Sequence, residues 1–308
     1  MKIRFALLAV ALVATQAIAG TATNAQVEPA LSKARLSGSL TAGYSTNYTG
    51  RGYVVSHSVA QGDSVFLGAL KLNYDMGRKD LWSIDSTIAY TAPASGHTLY
   101  GNPAAIYGVG DKYVKNEFAL VTAAKYKRPE WNVSVGHDFV HGGLLGVMAR
   151  HFRGQGSSCV NELFVAPEWT PTAAPWFAAG IKTSFSFQGI DGWWFEPYVS
   201  FKAPIIGTPD NVKLAGILTF SLSATAEYFN HGDFACNNGT QAFWIKLATP
   251  WFVTEKKNII ITPSVSFNWL GKGGMKANEN SHFRMFSTSY VPFREFGVVG
   301  GVSVTYTF

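Results

Sequence analysis

Between Arg35 and Tyr48 the chain reads RLSGSLTAGYSTNY, and its two parities separate cleanly. The even positions Leu36, Gly38, Leu40, Ala42, Tyr44 and Tyr48 are mostly apolar, whereas the odd positions Ser37, Ser39, Thr41, Gly43, Ser45 and Asn47 are small and mostly polar. Successive side chains on a strand point to opposite faces, so this stretch predicts a strand with one greasy and one wet side. The same sorting recurs along the chain. Phe66, Leu70, Leu72 and Tyr74 oppose Lys71, Asn73 and Asp75; Trp82, Ile84, Ile88 and Tyr90 oppose Ser83, Asp85 and Thr87; Phe118, Leu120 and Tyr126 oppose Glu117 and Lys125. Trp131, Val133, Val135 and Phe139 then oppose Asn132, Ser134 and Asp138, followed by SSCVNELFVAPEW, the least clear segment of the set. Further on, Phe177, Ile181, Phe185 and Phe187 face away from Lys182, Ser184 and Ser186, and Phe195, Val199 and Phe201 from Glu196, Ser200 and Lys202. Leu218, Phe220, Leu222 and Tyr228 oppose Thr219, Ser221, Ser223, Thr225 and Glu227. TQAFWIKLA, NIIITPSVSFNW and GVVGGVSVTYTF complete a set of twelve predicted strands.

Twelve is an even number, which returns both ends of an antiparallel barrel to one side, as single-chain outer-membrane barrels require. The aromatics Tyr44, Tyr74, Trp82, Tyr90, Tyr126, Trp131, Trp193, Tyr228 and Trp269 fall near the ends of the apolar stripes, where interfacial girdles belong. If the first strand runs outward from the periplasm, the inner turns are MGRKD, KRPE, PTAAP, APIIGTPDN and TEKK, mostly short. The outer connections, at residues 49–62, 92–114, 140–157, 229–239 and 270–293, are longer, apart from a tight one near 189–192. Short turns on one side and long loops on the other are the asymmetry expected of such a barrel.

Composition decides which way the greasy faces point. Charged residues make up 14% of the chain, well below the roughly 25% of a soluble domain. Mean hydropathy is nevertheless only +0.08, and no stretch after the N-terminus approaches the ~20 consecutive apolar residues of a membrane-spanning helix. A secreted β-sandwich or lipocalin-like barrel is the alternative, with apolar residues inside. Its polar face would carry more Lys and Glu than the Ser, Thr, Gly and Asn found here. The fold expected is therefore an all-β transmembrane antiparallel barrel of about twelve strands, forming a single domain over residues 36–308.

The first twenty residues, MKIRFALLAVALVATQAIAG, have two cations, a short apolar run and the Ala17-Ile18-Ala19 triplet of a secretory signal peptide. Cleavage is expected after Ala19, with Ala25 as the alternative, leaving 20–35 as a short mature N-terminal segment. Loss of Lys2 and Arg4 lowers the formal charge from +6 to about +4, too mild to imply a nucleic-acid partner.

The closing VSVTYTF resembles the C-terminal strand of bacterial outer-membrane barrels. Alternating Val302, Val304 and Tyr306 precede a terminal aromatic, Phe308, and the resemblance implies that Tyr306 and Phe308 are read by the barrel assembly machinery. A second stretch, YSTNYTGRGYVVSHS, resembles the start of the Gcw-type conserved hypothetical outer-membrane proteins through Tyr48, Arg51 and Gly52. That family is taken to be porin-like, with no established substrate. The twelve-stranded outer-membrane phospholipase places His-x-Ser on one strand; here only Ser56-His57-Ser58 is comparable, and it falls in a predicted loop. No nucleophile, base and orienting group line up, and neither YGVGDK nor RGQGSS fits a phosphate-binding template.

Parity assigns Arg51 to the lumen near the outer rim, as a constriction charge or as a wall-stabilising ion pair. The other lumen-phase charges are Lys71, Lys125, Lys182, Lys202 and Lys246 against Asp75, Asp85, Glu117, Asp138, Glu196 and Glu227, which should pair across strands in a poorly solvated interior. Trp194, Tyr198 and Trp244 share that phase, as a stacking surface for sugars or as filler of a narrow barrel. Cys159 and Cys236, the only cysteines, map near the outer rim and form a candidate disulfide, provided their Cα atoms approach within ~7 Å. His137 and His141 lie four residues apart on a strand, roughly 13 Å, too far to share a metal ion and better suited to an interface. No cofactor or metal is implied. The functional expectation is a non-enzymatic, porin-like channel for small hydrophilic solutes in outer-membrane lipid. The alternatives are a plugged barrel that binds through its outer loops, and a lipid-modifying enzyme.

Overall fold

The computed structural model describes residues 36–47, 49–50, 53–54, 64–76, 82–94, 116–142, 159–188, 192–204, 213–224, 239–273 and 294–308. Twelve long strands run through them: β1 (Leu36–Ser45), β2 (Val65–Asp75), β3 (Trp82–Pro93), β4 (Glu117–Lys127), β5 (Trp131–Gly142), β6 (Cys159–Trp169), β7 (Phe177–Gln188), β8 (Gly192–Pro204), β9 (Lys213–Ala224), β10 (Gly239–Ala248), β11 (Ile259–Leu270) and β12 (Phe296–Thr307). Two short pieces accompany them, a pairing of Thr49–Gly50 with Tyr53–Val54 and a two-residue strand, Trp251–Phe252, against Ile260 and Ile261.

Each long strand pairs antiparallel with its neighbours in the chain, and β12 returns to β1 through the register Ser39↔Thr307 to Ser45↔Gly301. The pairing of β10 with β11, from Ala242↔Leu270 to Ala248↔Ser264, completes the ring. The sheet is therefore a closed barrel. Closure matters because no backbone group can be left bare in hydrocarbon, and an open sheet edge would leave a whole row of them.

The two faces divide by parity. Leu36, Leu40, Ile84, Ile88, Val135, Leu163, Val165, Val298, Val302 and Val304 are exposed on the outside, with Val135 at 57% and Leu163 at 55%. No water-soluble sheet presents so continuous an aliphatic band, and its natural solvent is lipid. Rings gather at both margins of this band. Toward the rim that carries the 128–130 turn, Trp82 lies 4.7 Å from Tyr126, Trp131 lies 6.2 Å from Trp169, and Trp176 stacks on Phe201 at 6.2 Å. Toward the opposite rim, Tyr44 meets Phe66 at 5.8 Å, Phe185 meets Trp193 at 4.9 Å, and Phe243 stacks on Trp269 at 4.4 Å. Amphipathic rings at two levels, with aliphatic side chains between, form a belt at each interface.

The short turns are tied to one another. Glu130 in the β4–β5 turn accepts hydrogen bonds at Oε1 from Thr172 N, at 2.9 Å, and from Thr172 Oγ1, while its carbonyl accepts from Thr170 N at 2.8 Å. The Thr172 hydroxyl and then the Thr172 amide hold the Glu130 carboxyl below its usual range, because both donate to the charged form.

Two strand expectations change. β1 ends at Ser45, short of the predicted Tyr48, and the sixth strand alternates sharply, with Val160, Glu162, Phe164 and Ala166 buried and Leu163 and Val165 exposed. It read poorly in the sequence because its inward face mixes two large apolar side chains with two carboxylates. The signal-peptide and 20–35 segments, Arg51, Tyr228, Glu227 and Cys236 lie outside the described residues.

Candidate functional site

Among the described residues the inward face mixes apolar side chains, such as Ala89, Val121, Phe164, Trp194 and Trp244, with buried Ser, Thr and Asn and with charges at two levels. Near the β4–β5 turn, Glu168 of β6 accepts from Asn132 Nδ2 at 2.8 Å and from Tyr198 Oη at 2.7 Å. Asn73 donates to Asp85 across the β2–β3 pair, and Lys125 lies within the electrostatic reach of Glu168 and Asp85, which attract it, and of Lys71 and Lys127, which repel it. These groups span β2 to β8 and form one polar network on the wall.

Higher up, Lys182 of β7 reaches across two strands to Asp138 of β5, Nζ to Oδ2 at 3.3 Å, with both side chains almost fully buried. On the way its ammonium passes over the Phe164 ring at 4.7 Å, a cation–π contact that holds the stem in place. Glu162 stands directly opposite Asp138, and Glu196 directly opposite Lys182. Trp194, one inward step from Glu196, is 2% exposed, as is Trp244 of β10.

Two of the large inward rings lie down against the wall. A Cβ built on Gly136 would fall 2.7 Å from Phe164 Cζ, and one built on Gly180 would fall 2.6 Å from the Tyr198 ring. Each ring thus occupies the space that a side chain on the neighbouring strand would need. Glycine at these positions lets the aromatic spread sideways rather than project toward the axis.

The predicted lumen residues are distributed as follows. Asp85, Lys125, Asp138, Lys182, Glu196, Trp194, Tyr198 and Trp244 face inward on described strands. Lys71 belongs to the lower network, Glu117 is buried at the outer end of β4, and Asp75 closes β2. Lys246 sits on β10 opposite Ser266, and Lys202 is placed by its backbone pairing with Ala215. Glu162 and Glu168, both inward, were missed, because parity in the sixth segment could not be assigned from the sequence.

No family model matches the chain, and no curated protein matches it in sequence. Among solved structures it is similar to the NanC porin, at 13% identity and a TM-score of 0.44, covering 88% of this chain and 100% of that one. It is similar to LpxR from Salmonella typhimurium, at 11% and 0.46, covering 88% and 100%. It is also similar to the COG4313 outer membrane channel from Pseudomonas putida F1, at 8% and 0.44, covering 89% and 95%. The closed pairing order and the exposed aliphatic band, rather than these likenesses, define the chain as a transmembrane barrel.

Among the described residues the outer wall carries polar groups within its aliphatic band, including Ser86 and Thr122, whose hydroxyls lie 3.4 Å apart, and a cluster around Asn161. A register shift between Asn161 and Glu162 sets Asn161 opposite Gln188 and Glu162 opposite Ser186. Asn161 Nδ2 donates to Gln188 Oε1 at 2.6 Å, and Asn161 Oδ1 lies 2.9 Å from His137 Nε2. Close by, His141 Nδ1 is 3.2 Å from Cys159 Sγ. The two histidines therefore serve different partners, on a face level with the outer aromatic belt. Cys159 carries a free thiol, and its expected partner Cys236 is outside the described residues. Among the described residues no group of three or more His, Cys, Asp or Glu is arranged to hold a metal ion.

Proposed function

We propose that this chain is a passive channel of the bacterial outer membrane, admitting small hydrophilic solutes through a lumen lined by Ser, Thr, Asn and charged side chains, with no catalytic role. The observation that carries this reading is the pairing of an aliphatic exterior with an interior that holds buried Ser, Thr, Asn and charged side chains, in a closed ring of twelve strands. The posture of Phe164 and Tyr198, flat against Gly136 and Gly180, keeps two large rings off the axis.

A second reading, a barrel closed by its own side chains and working through its outer loops, draws support from the near-complete burial of Trp194 and Trp244. Purified protein reconstituted into planar bilayers separates the two. Stepwise conductance increments support the channel; silent membranes holding correctly folded protein favour the closed barrel.

A further inference from the structure

The ionisable groups of the inward face are not all satisfied by the wall. Lys182 and Glu196 are direct cross-strand neighbours, yet Lys182 turns away to Asp138. Glu196 is 1% exposed, and among the described residues neither of its carboxylate oxygens has a hydrogen-bond partner. Among the described residues it is the one ionisable side chain whose polar atoms are all buried and unpartnered. Asp138 Oδ1 and Ser184 Oγ are also buried without a partner, and Ser184 sits opposite Trp194, one inward step from Glu196.

A carboxylate removed from water and left unpaired is costly. A cation entering from the lumen would satisfy these oxygens. Four oxygen acceptors on one wall, with the nearby ammonium engaged elsewhere, make a region attractive to cations and repellent to anions. The arrangement is not a chelating cage, since among the described residues no three acidic or imidazole groups converge. Weak, partial coordination is what conduction requires: strong enough to admit an ion, too weak to keep it.

We infer that the β5–β8 wall is a cation-selective constriction, a transient site for small monovalent cations in which Glu196 supplies the uncompensated charge. This rests on the channel reading and names the class of solute that the channel prefers.

The test is the reversal potential of the reconstituted protein under a tenfold KCl gradient. A K⁺ over Cl⁻ permeability ratio of about ten or more is expected, in line with the counter-ion enrichment that charged clefts produce. Glu196→Gln should bring the ratio close to one while conductance persists, and Glu196→Asp should keep most of the preference; heat-modifiable gel mobility checks that each variant is folded. Conductance with no preference, or with a preference for Cl⁻, overturns the inference and leaves the channel intact. Unchanged selectivity in Glu196→Gln overturns the assignment to that residue. Silent membranes remove the channel reading itself, and this inference with it.

Discussion

Phe308 and Gly38 are locked together. Phe308 N donates to the Gly38 carbonyl at 3.0 Å, Gly38 N donates to the Phe308 carbonyl at 2.9 Å, and the Phe308 ring lies where a Gly38 side chain would be, 2.6 Å from the ideal Cβ. This pair extends the β1–β12 ladder, in which Thr41 and Thr305 also share a hydroxyl bond at 2.9 Å. Gly38→Val must displace both the ring and the Lys71 carbonyl, which lies 2.7 Å away. We expect a loss of about 1–3 kcal/mol, typical of overpacking, read as a lower urea midpoint in refolding into detergent or lipid. An unchanged midpoint would show that the seam is looser than this geometry.

The outward direction of the aliphatic band can be tested by placing charge on it. Val135→Arg and Leu163→Arg should each cost about 2–4 kcal/mol if these positions meet the hydrocarbon midplane. Arginine at Ser134, the inward neighbour of Val135, is the control, and equal stability loss at both faces would contradict the assignment.

Lys182 and Asp138 form a buried pair, so removing one member strands the other. Lys182→Met should destabilise by about 3–5 kcal/mol, whereas the double change Lys182→Met with Asp138→Leu should recover most of it. A double-mutant cycle on the folded barrel measures the coupling; additivity would mean that the 3.3 Å contact carries nothing.

Tyr198 has two tasks: its ring covers Gly180, and its hydroxyl donates to Glu168. Tyr198→Phe retains the first and deletes the second. A loss of about 1.5–3 kcal/mol, the range for a bond to a charged acceptor, is expected in unfolding midpoints. Little further loss should appear when the change is made in a Glu168→Gln background.

Acid should loosen the turn staple. The Glu130 carboxyl is held below its usual range by the Thr172 hydroxyl and amide, so the bond stabilises the fold above the ordinary carboxylate range. That contribution fades as pH falls through the lowered value, when the folded state must also take up the proton. Thr172→Val should flatten this part of the profile in thermal unfolding followed against pH, and a profile identical to wild type would exclude the staple.

Most of the barrel can be read from alternation alone, because lipid and lumen impose opposite chemistries on adjacent residues. Where both faces mix polar and apolar groups, the signal fails. In β6 the inward Phe164 and the outward Asn161 both break the rule, so the segment lost its phase and Glu162 and Glu168 went unseen. Pairing geometry is a second blind spot. Nothing local in the chain says that Phe164 settles on Gly136, or that Gln188 swings toward Asn161 after a register shift, since both depend on which residues meet across strands. The same holds for Lys182, whose charge was legible but whose choice of Asp138 over its immediate neighbour Glu196 was not.

The hollows at Gly136 and Gly180 have one more implication. A ring that can recline takes little from the diameter of the bore, and the same ring forced upright takes several ångströms. In the channel we propose, width would therefore be governed from behind the aromatics, by two positions that carry no side chain of their own.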